Sequence, residues 1–390
     1  MKSKKIGVNT ICTHVGEIKD EQFKGAISPL YMSSSYAYEN VDIKRYPRYF
    51  NTPNQEALGK KIAALEHCEA GMIFGSGMAA VSTALLAFLQ SGDHVVVQKT
   101  IYGGAYNFMV EEFPKYNIEF DFTEGFSEAD FASKIKPNTK VIYIETPSNP
   151  LMLITDLEMI SKLAKKHHLV SMIDNTFASP INQNPADFDI DIIIHSATKY
   201  MGGHSDICAG AVAASKEHMG KIWNLGKNLG GSLSDYTVWL LERSIKTMGI
   251  RVKAQNRNAK KMAKWLDTHP LVAKVYYPGL KSHPDYNLAR KQMYGFTGML
   301  SFELVPSINP QAFMENLLMI KQSMSLAGVE STILSPAKTS HALLSAEERK
   351  RQGIADGLLR FSVGIEDKHD LITDLEQAFE AVAKKQIQKV

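Results

Sequence analysis

One lysine in this sequence has an evident chemical use. Lys199 follows residues 192–194, a short β-branched apolar run that predicts a buried strand. The pKa of an amine at such a strand end can fall, and a neutral amine forms Schiff bases with carbonyl compounds. Ser196 and Thr198 place hydroxyls beside it, and the glycine pair 202–203 lets the chain turn away. The stretch predicts a reactive amine next to a phosphate seat.

The whole segment 191–205 is more specific than its lysine. It resembles the pyridoxal-phosphate attachment segment of the Cys/Met-metabolism family, which includes cystathionine synthases and lyases, methionine γ-lyase and O-acylhomoserine sulfhydrylases. Asp191, the small residues before Thr198-Lys199-Tyr200, and the glycine and histidine that follow match at each defined position. The resemblance implies pyridoxal 5'-phosphate (PLP) as cofactor, Lys199 as its attachment point and a PLP-dependent transferase fold of type I.

Composition excludes several other classes of protein. The 390 residues carry 44 basic and 41 acidic side chains, a net charge of +3, so we expect neither a nucleic acid nor a membrane as partner. Three scattered cysteines indicate a reducing, cytoplasmic setting. The basic start, residues 1–5, is followed by no apolar run, which predicts no signal peptide.

Strands and helices alternate in the first half of the chain. Strands are predicted at 72–74, 95–97, 141–144, 170–173 and 192–194, and helices at 54–66, 79–89 and 157–168. Such alternation predicts an α/β fold with a mostly parallel, doubly wound sheet. Functional groups gather at the carboxyl ends of its strands, where Tyr102, Asn149, Asp174 and Lys199 fall.

Three regions follow from these patterns. Residues 1–55 are predicted to form an irregular arm and residues 56–245 a large domain. The family resemblance implies that the arm contacts a neighbouring subunit and that the large domain binds PLP. Residues 246–390 are predicted to form a smaller α+β domain. A long helix or two joined helices at 233–255 would link the two domains, followed by strands at 272–277, 298–304 and 359–363 and helices at 311–318 and 371–384.

The phosphate seat has two predicted parts. A glycine-rich turn with Gly77 and Met78 opens a helix, and free N–H groups at a helix start attract anions. The family resemblance adds Ser196 and Thr198 to this cup. It also implies that Tyr46 and Arg48 reach the cofactor phosphate of a neighbouring subunit, although the segment 51–53 departs from the family's order of residues.

The cofactor ring would be held from two sides. Asp174 ends a predicted strand, and its carboxylate would keep the pyridine nitrogen protonated; from the sequence alone, a turn cap beside Asn175 is an equal alternative. Tyr102 would stack on the ring and move protons. Both roles are implied by the resemblance.

The substrate carboxylate is assigned to an arginine in a second motif. Arg360 lies in an apolar run, residues 358–366, which resembles the family's substrate-binding segment, with Asn149 and Ser325 at supporting positions. The planar guanidinium suits a bidentate carboxylate contact. A strand-edge charge is the alternative interpretation.

Competing functions fit less well. The glycines at 75 and 77 lack the third glycine of a dinucleotide-binding motif. His195, His204 and Cys208 have no metal-ligand spacing, so we expect no metal. A non-catalytic PLP-fold regulator would be expected to lose Lys199 or Asp174.

The resemblance implies a homotetrameric enzyme, and the favoured reaction is C–S lysis by β- or γ-elimination on cystathionine or a related sulfur amino acid. γ-Replacement on an O-acylhomoserine and methionine γ-lysis are alternatives. Gly104 stands where methionine γ-lyases carry cysteine. Glu330, in a segment that resembles one of cystathionine enzymes, is expected to meet the distal ammonium of cystathionine; a glutamate at a helix start facing solvent is an equal alternative. The segment 338–341 departs from the family near the distal end of the substrate.

Overall fold

A mixed sheet forms the centre of the computed structural model, in which residues 6–339, 347, 349 and 353–387 are described. Its strands are β1 (Ala70–Phe74), β2 (His94–Val97), β3 (Glu119–Phe122), β4 (Thr139–Glu145), β5 (Val170–Asp174), β6 (Ile192–His195) and β7 (Gly210–Ala214). Within the described chain they form a seven-stranded sheet in the order β1-β7-β6-β5-β4-β2-β3. All pairs from β6 to β3 are parallel, and β7 is antiparallel to both of its neighbours.

Helices cover both faces of this sheet because its strands are apolar on both sides. In β6, Ile193 belongs to one core and its neighbours Ile192 and Ile194 to the other. The helices are α1 (Val8–His14), α2 (Pro53–Leu65), α3 (Gly77–Leu86), α4 (Gly103–Asn107), α5 (Glu128–Ala132), α6 (Leu157–Lys166), α7 (Ser179–Asn182), α8 (Lys216–Leu229) and α9 (Asp235–Ile245). The β-α alternation predicted from the sequence is confirmed.

A second sheet follows in the chain. It comprises β8 (Val272–Tyr276), β9 (Met299–Leu304), β10 (Lys321–Gln322), β11 (Thr332–Leu334) and β12 (Leu358–Ser362), with the helices α10 (Met248–Leu266), α11 (Tyr286–Gln292), α12 (Pro310–Glu315) and α13 (Lys368–Ile387). The order is β10-β11-β12-β9-β8, mostly antiparallel. Leu300 and Phe302 of β9 and Phe313 of α12 share one core with Phe379 of α13. This is the predicted α+β part; the exact domain boundaries stay a prediction.

Some elements escaped the sequence analysis. The predicted arm contains α1, which buries Ile11 and Cys12, whereas the segment 233–255 forms two successive helices, α9 and α10, one of its two predicted forms. The strand β7 was missed because its Gly-Ala-rich sequence has little β-propensity. Small residues are needed there, since a Cβ on Gly210 would lie 2.1 Å from the carbonyl oxygen of Ser76. Among the described helices, none is long and apolar enough to cross a membrane.

Two facing glycines let α2 lie directly on β1. A Cβ on Gly59 would lie 2.5 Å from the carbonyl oxygen of Gly71, and one on Gly71 would lie 2.4 Å from that of Gly59. Backbone on both sides leaves no flexible side chain to move away. The contact matters for the site because α2 ends at Glu66, beside the carboxyl ends of β5 and β6.

We predict that Gly59→Ala lowers the melting temperature, because overpacking of this kind costs about 1–3 kcal/mol. Gly220→Ala is the matched control: Gly220 lies inside α8, and a Cβ there meets no described atom within 4 Å. Alanine favours helix over glycine by about 1 kcal/mol, so this variant should melt at or above the wild-type temperature. Equal melting of the two variants in differential scanning calorimetry would contradict the close contact.

Candidate active site

The carboxyl edge of the parallel strands opens into a cavity of about 620 Å³. Glu145 and Asp174 end β4 and β5 in register with each other, and β6 ends beside them at His195. The sequence-predicted residues that line the cavity are Gly77, Met78, Tyr102, Asn149, Asp174, Ser196, Thr198, Lys199, Ser325 and Arg360. The rule that functional groups gather at parallel strand ends therefore brings most of the predicted site together.

Lys199 reaches into this cavity from the turn after β6. Its Nζ donates a hydrogen bond of 2.7 Å to Ser325 Oγ. Burial, with the nearby charge of Arg360, lowers the pKa of Lys199 from 10.5 to about 8. A substantial neutral fraction is therefore present near neutral pH, as the sequence predicted for an amine at this position.

The loop after Lys199 is held by a buried arginine that the sequence analysis missed. Arg251, on α10, donates 3.0 Å hydrogen bonds to the carbonyl oxygens of Tyr200 and Ser244. Gly203 has a φ of +68°, and a Cβ there would lie 1.8 Å from Arg251 Nη1. The glycine of the motif is thus required by both the turn and the guanidinium, which fix the path of the chain around the lysine.

Asp174 is a buried carboxylate without a cationic partner. Its Oδ1 accepts a 3.0 Å hydrogen bond from Thr176 N–H. Across the described residues, no lysine, arginine or histidine nitrogen lies within the 4.0 Å of an ion pair. Burial raises the pKa of Asp174, and the Thr176 hydrogen bonds together with the charges of His195 and Lys199 oppose that rise. A cation arriving in the cavity would relieve the cost of this buried charge.

A second carboxylate, Glu145, lies beside it and was also missed. Glu145 Oε2 accepts a 2.6 Å hydrogen bond from Tyr102 N–H, and Oε1 accepts one of 3.1 Å from Asn149 N–H. Burial, reinforced by the charge of Asp174, raises the pKa of Glu145 well above its usual range. Glu145 thus positions two predicted site residues. The strand-end rule that selected Asp174 applies equally to Glu145 and would have found it.

The start of α3 forms an anion seat. Ser76 caps the helix by accepting from Ala79 N–H at 3.0 Å, which leaves the N–H groups of Gly77 and Met78 without an acceptor among the described residues. A Cβ on Gly77 would lie 2.8 Å from Ser196 Cβ. Glycine therefore lets the helix start approach the hydroxyl-bearing segment before Lys199.

Arg360 reaches across from β12 of the second sheet. Its guanidinium donates to Asn149 Oδ1 at 3.2 Å and to the carbonyl oxygen of Ser325 at 2.8 Å. Burial lowers the pKa of Arg360 to about 10, while the charge of Glu145 opposes this shift. Because both partners are neutral acceptors, the cation can still take an anionic ligand.

Tyr102 stands at the mouth of the cavity with its side chain 46% exposed. A Cβ on Gly104 would lie 2.5 Å from Tyr102 Cε1 and 3.1 Å from Met78 Sδ. The ring therefore lies directly over the glycine, and any side chain at position 104 would displace it. The residue that distinguished this chain from methionine γ-lyases in the sequence is also the one that sets the ring position.

Three predicted residues lie outside the cavity wall. Tyr46 and Arg48 are exposed on the arm, where Arg48 donates to the Lys227 carbonyl oxygen. Glu330 does not line the cavity; a hydrogen bond from Ser205 is the main cause that lowers its pKa. The expected contact of Glu330 inside the cavity is not seen, and its contact with a substrate stays a prediction.

The departing segment 338–341 is only partly described. Thr339 lines the cavity, whereas Lys338 is exposed and bonds Gln311 at 3.5 Å. Ser340 and His341 lie outside the described residues. The turn at 51–53, which the sequence left in doubt, is a helix start: Thr52 caps α2 in a capping box with Gln55, and Pro53 is the first helical residue.

The cavity has the chemistry that PLP requires. The unpaired carboxylate of Asp174 suits a protonated pyridine nitrogen, and the acceptor-free N–H groups of Gly77 and Met78 suit a phosphate. Lys199 supplies an amine between these two ends. The donor set therefore fits the cofactor that the sequence resemblance implied.

Comparison with known proteins agrees. The profile of the family described as "Cys/Met metabolism PLP-dependent enzyme" matches residues 9–380. The chain is 42% identical to "Cystathionine gamma-lyase" of Bacillus subtilis over 96% of this chain and 99% of that protein. It is also 42% identical to "Cystathionine beta-lyase" of Lactococcus lactis subsp. cremoris over 94% and 97% of the two chains. The crystal structure of cystathionine γ-lyase from Lactobacillus plantarum complexed with L-serine superposes with a TM-score of 0.93 at 39% identity, over 97% of this chain and all 100% of that one.

These matches confirm the predicted type I fold and its cofactor. The chain belongs to the Cys/Met-metabolism family of PLP-dependent enzymes.

Proposed function

We propose that this enzyme cleaves the C–S bond of cystathionine by elimination. The observation that carries the proposal is the double role of Ser325, whose Oγ accepts from Lys199 Nζ at 2.7 Å and whose carbonyl oxygen accepts from Arg360 at 2.8 Å. Ser325 thus bridges an amine that can move a proton and a guanidinium that can hold an α-carboxylate. An amino acid bound at Arg360 would present its α-hydrogen to Lys199.

The chain's own residues then divide the work. PLP, when bound, supplies the electron sink that makes the α-hydrogen of an amino acid acidic. Arg360, oriented by Asn149, holds the α-carboxylate with two hydrogen bonds. Lys199 Nζ takes up the α-hydrogen, since its lowered pKa leaves it neutral often enough to act as a base.

The other residues of the cavity would hold the cofactor in its reactive form. Asp174 would keep a proton on the pyridine nitrogen by its charge, and the start of α3 with Ser196 and Thr198 would bind the phosphate. Tyr102 would cover the ring from the mouth of the cavity. Glu145 keeps Tyr102 and Asn149 in place through their backbone N–H groups.

Two findings support cystathionine over methionine as substrate. The relatives reported above at 42% identity carry the names of cystathionine γ- and β-lyases. In addition, Gly104 supports the Tyr102 ring directly, so the site has neither the space nor the thiol of the cysteine found at this position in methionine γ-lyases.

The first test is a product assay. We expect release of a thiol amino acid, an oxo-acid and ammonia from cystathionine, with a kcat/KM at least about tenfold above that for methionine and for O-succinylhomoserine; tenfold corresponds to about 1.4 kcal/mol. Methionine as the best substrate, or O-succinylhomoserine with a thiol as the best pair, would replace the proposed reaction by one of the alternatives without changing the family.

The second test addresses Lys199 itself. Because its pKa is lowered to about 8, the neutral amine grows in as the pH rises through 8 and is nearly complete one unit above. The rate at which apoenzyme takes up PLP into a borohydride-reducible bond should follow that titration, after correction for ionisation of free PLP. Lys199→Ala should form no such bond and no product. A titration near the ordinary lysine value of 10.5 would contradict the desolvated site.

We place this enzyme in the cytoplasm as a homotetramer built from dimers. Cys12, Cys68 and Cys208 are free in the structure, as suits a reducing compartment. The arm carries apolar side chains exposed in the single chain, with Phe23 at 79% and both Met32 and Tyr38 at 71%. A second copy would cover them. Tyr46 and Arg48 lie on this same arm, outside their own cavity.

A mixing experiment tests whether Arg48 acts in a neighbour's site. Arg48→Ala and Lys199→Ala subunits, each inactive alone, should regain up to about a quarter of the wild-type sites after random exchange, because one site of each mixed dimer is intact. Arg45→Ala is the matched arm control: Arg45 pairs with Glu56 of its own chain at 2.9 Å, so this variant should stay active. No recovery after demonstrated subunit exchange would exclude shared sites.

A further inference from the structure

A buried acid behind the cofactor-binding edge has no part in the chemistry described so far. Glu66, at the end of α2, is fully buried, and its Oε1 accepts a hydrogen bond from Asn175 Nδ2 at 3.0 Å. The same oxygen is in contact with Nε2 of His195, which is also buried. Because a carboxylate oxygen only accepts, we assign the Nε2 proton to His195.

This arrangement is costly. Glu66 Oε2 is buried and has no hydrogen-bond partner among the residues that the structure describes. A buried carboxylate paired through only one of its oxygens destabilises a fold relative to apolar residues of similar size. A general contribution to stability therefore does not account for an acid at this position.

The contacts of Glu66 fix the two strand ends that carry the site. Asn175 follows Asp174 at the end of β5, and His195 ends β6, four residues before Lys199. Asn175 N–H donates to the Ile194 carbonyl oxygen at 2.9 Å, which joins the same two ends through the backbone. The Glu66 carboxylate thus connects, through side-chain contacts, the segment that carries Asp174 to the segment that carries Lys199.

The link extends to a third strand end. Gln183 Nε2 donates to Asn175 Oδ1 at 3.0 Å and to the carbonyl oxygen of Thr146, next to Glu145, at 3.2 Å. Gln292 of α11 donates to Gln183 Oε1 at 3.2 Å. Such buried networks act as a unit when each member is fixed by the next. A charge on His195 is also one of the influences that oppose the burial-driven rise of the Asp174 pKa.

We propose that Glu66 and His195 form a positioning pair for PLP: through Asn175 and the end of β6, the pair sets the separation of Asp174 and Lys199. Neither residue touches the reacting atoms. The inference rests on the proposed roles of Asp174 and Lys199 and deepens them.

The test is PLP binding to the folded apoenzyme. Glu66→Gln keeps the size and the Asn175 contact but removes the charge. We expect its Kd for PLP to rise about tenfold or more. Changing residues that hydrogen-bond to metal ligands weakens metal binding by about that factor, and Glu66 stands in the same relation to the PLP-binding residues. The bound cofactor should also show an altered visible absorption spectrum and a lower kcat with little change in KM, since Arg360 is untouched.

Glu242→Gln is the matched control. Glu242 is another buried acid, it accepts a 2.9 Å hydrogen bond from Ser28, and neither residue lines the cavity. Whichever way the melting temperatures of the two apoenzymes move, only Glu66→Gln should lose PLP affinity. If the PLP Kd of Glu66→Gln stays within about twofold of that of Glu242→Gln, the acid is purely structural and the proposal is overturned.

His195→Gln gives a second measurement that holds even if Glu66→Gln fails to fold. It should weaken PLP binding to a similar extent, and the double variant should lose no more than the larger single loss, because the two residues act together. Fully additive losses would refute the pair. The same titration on Asp174→Asn and Lys199→Ala separates the levels: if these bind PLP normally, the proposed site roles fail and the inference falls with them, whereas if they bind weakly and Glu66→Gln does not, only the inference fails.

Discussion

Two buried acids and two buried bases share one desolvated cavity, and the structure is built around keeping them apart. Asp174, Glu145, Lys199 and Arg360 all line it, yet no two of them form an ion pair in the described chain. Burial raises the pKa of both acids and lowers that of both bases, so each charge is held at a cost. Cofactor and substrate carry the complementary charges, and binding them relieves this cost. The charged groups of the site are therefore arranged to pair with ligands rather than with one another.

Rigid backbone contacts make this separation possible. Oppositely charged side chains a few ångströms apart collapse onto each other unless their backbones are fixed. Here the parallel strands place the two acids in register, and Arg251 holds the loop behind Lys199 by its carbonyl oxygens. Gly77 and Gly203 are required where this packing brings a neighbour within 3 Å of a Cβ position. Close approach of backbone, more than side-chain pairing, keeps the four charges in place.

The sequence revealed the residues that face the ligands better than those that position them. Lys199 and Asp174 were found because each follows an apolar run in a recognisable order, and strand ends in parallel sheets converge. Glu66 and Arg251 carry no such local pattern: their partners lie far away in the chain, so only the fold shows their role. Glu330 is a motif residue whose carboxylate accepts from Ser205 outside the cavity wall, so its expected contact with the substrate stays a prediction. The role proposed for Tyr46 and Arg48 would require a second chain, and no pattern within one chain can position such a partner.

The choice among the family's reactions has to come from the remaining wall of the cavity. The groups that would lie near the α-carbon serve elimination and replacement alike, since on the proposed mechanism both start with the same proton transfer to Lys199. Beyond them the wall contains Leu334, Thr339 and Met324, and Lys99 turns its Nζ to the Glu124 carbonyl oxygen at 2.8 Å. Such a surface suits a polarisable thioether better than an ester's charged or strongly polar leaving group. Within the described part of the chain, Leu334, Thr339 and Met324 offer no charge to the second charged end of cystathionine, so on the proposed function that end would extend to the mouth of the cavity, where Tyr102 is exposed. Recognition of the distal end of the substrate thus depends on the residues that cover the mouth of the cavity, and we propose that the arm of a second copy supplies them.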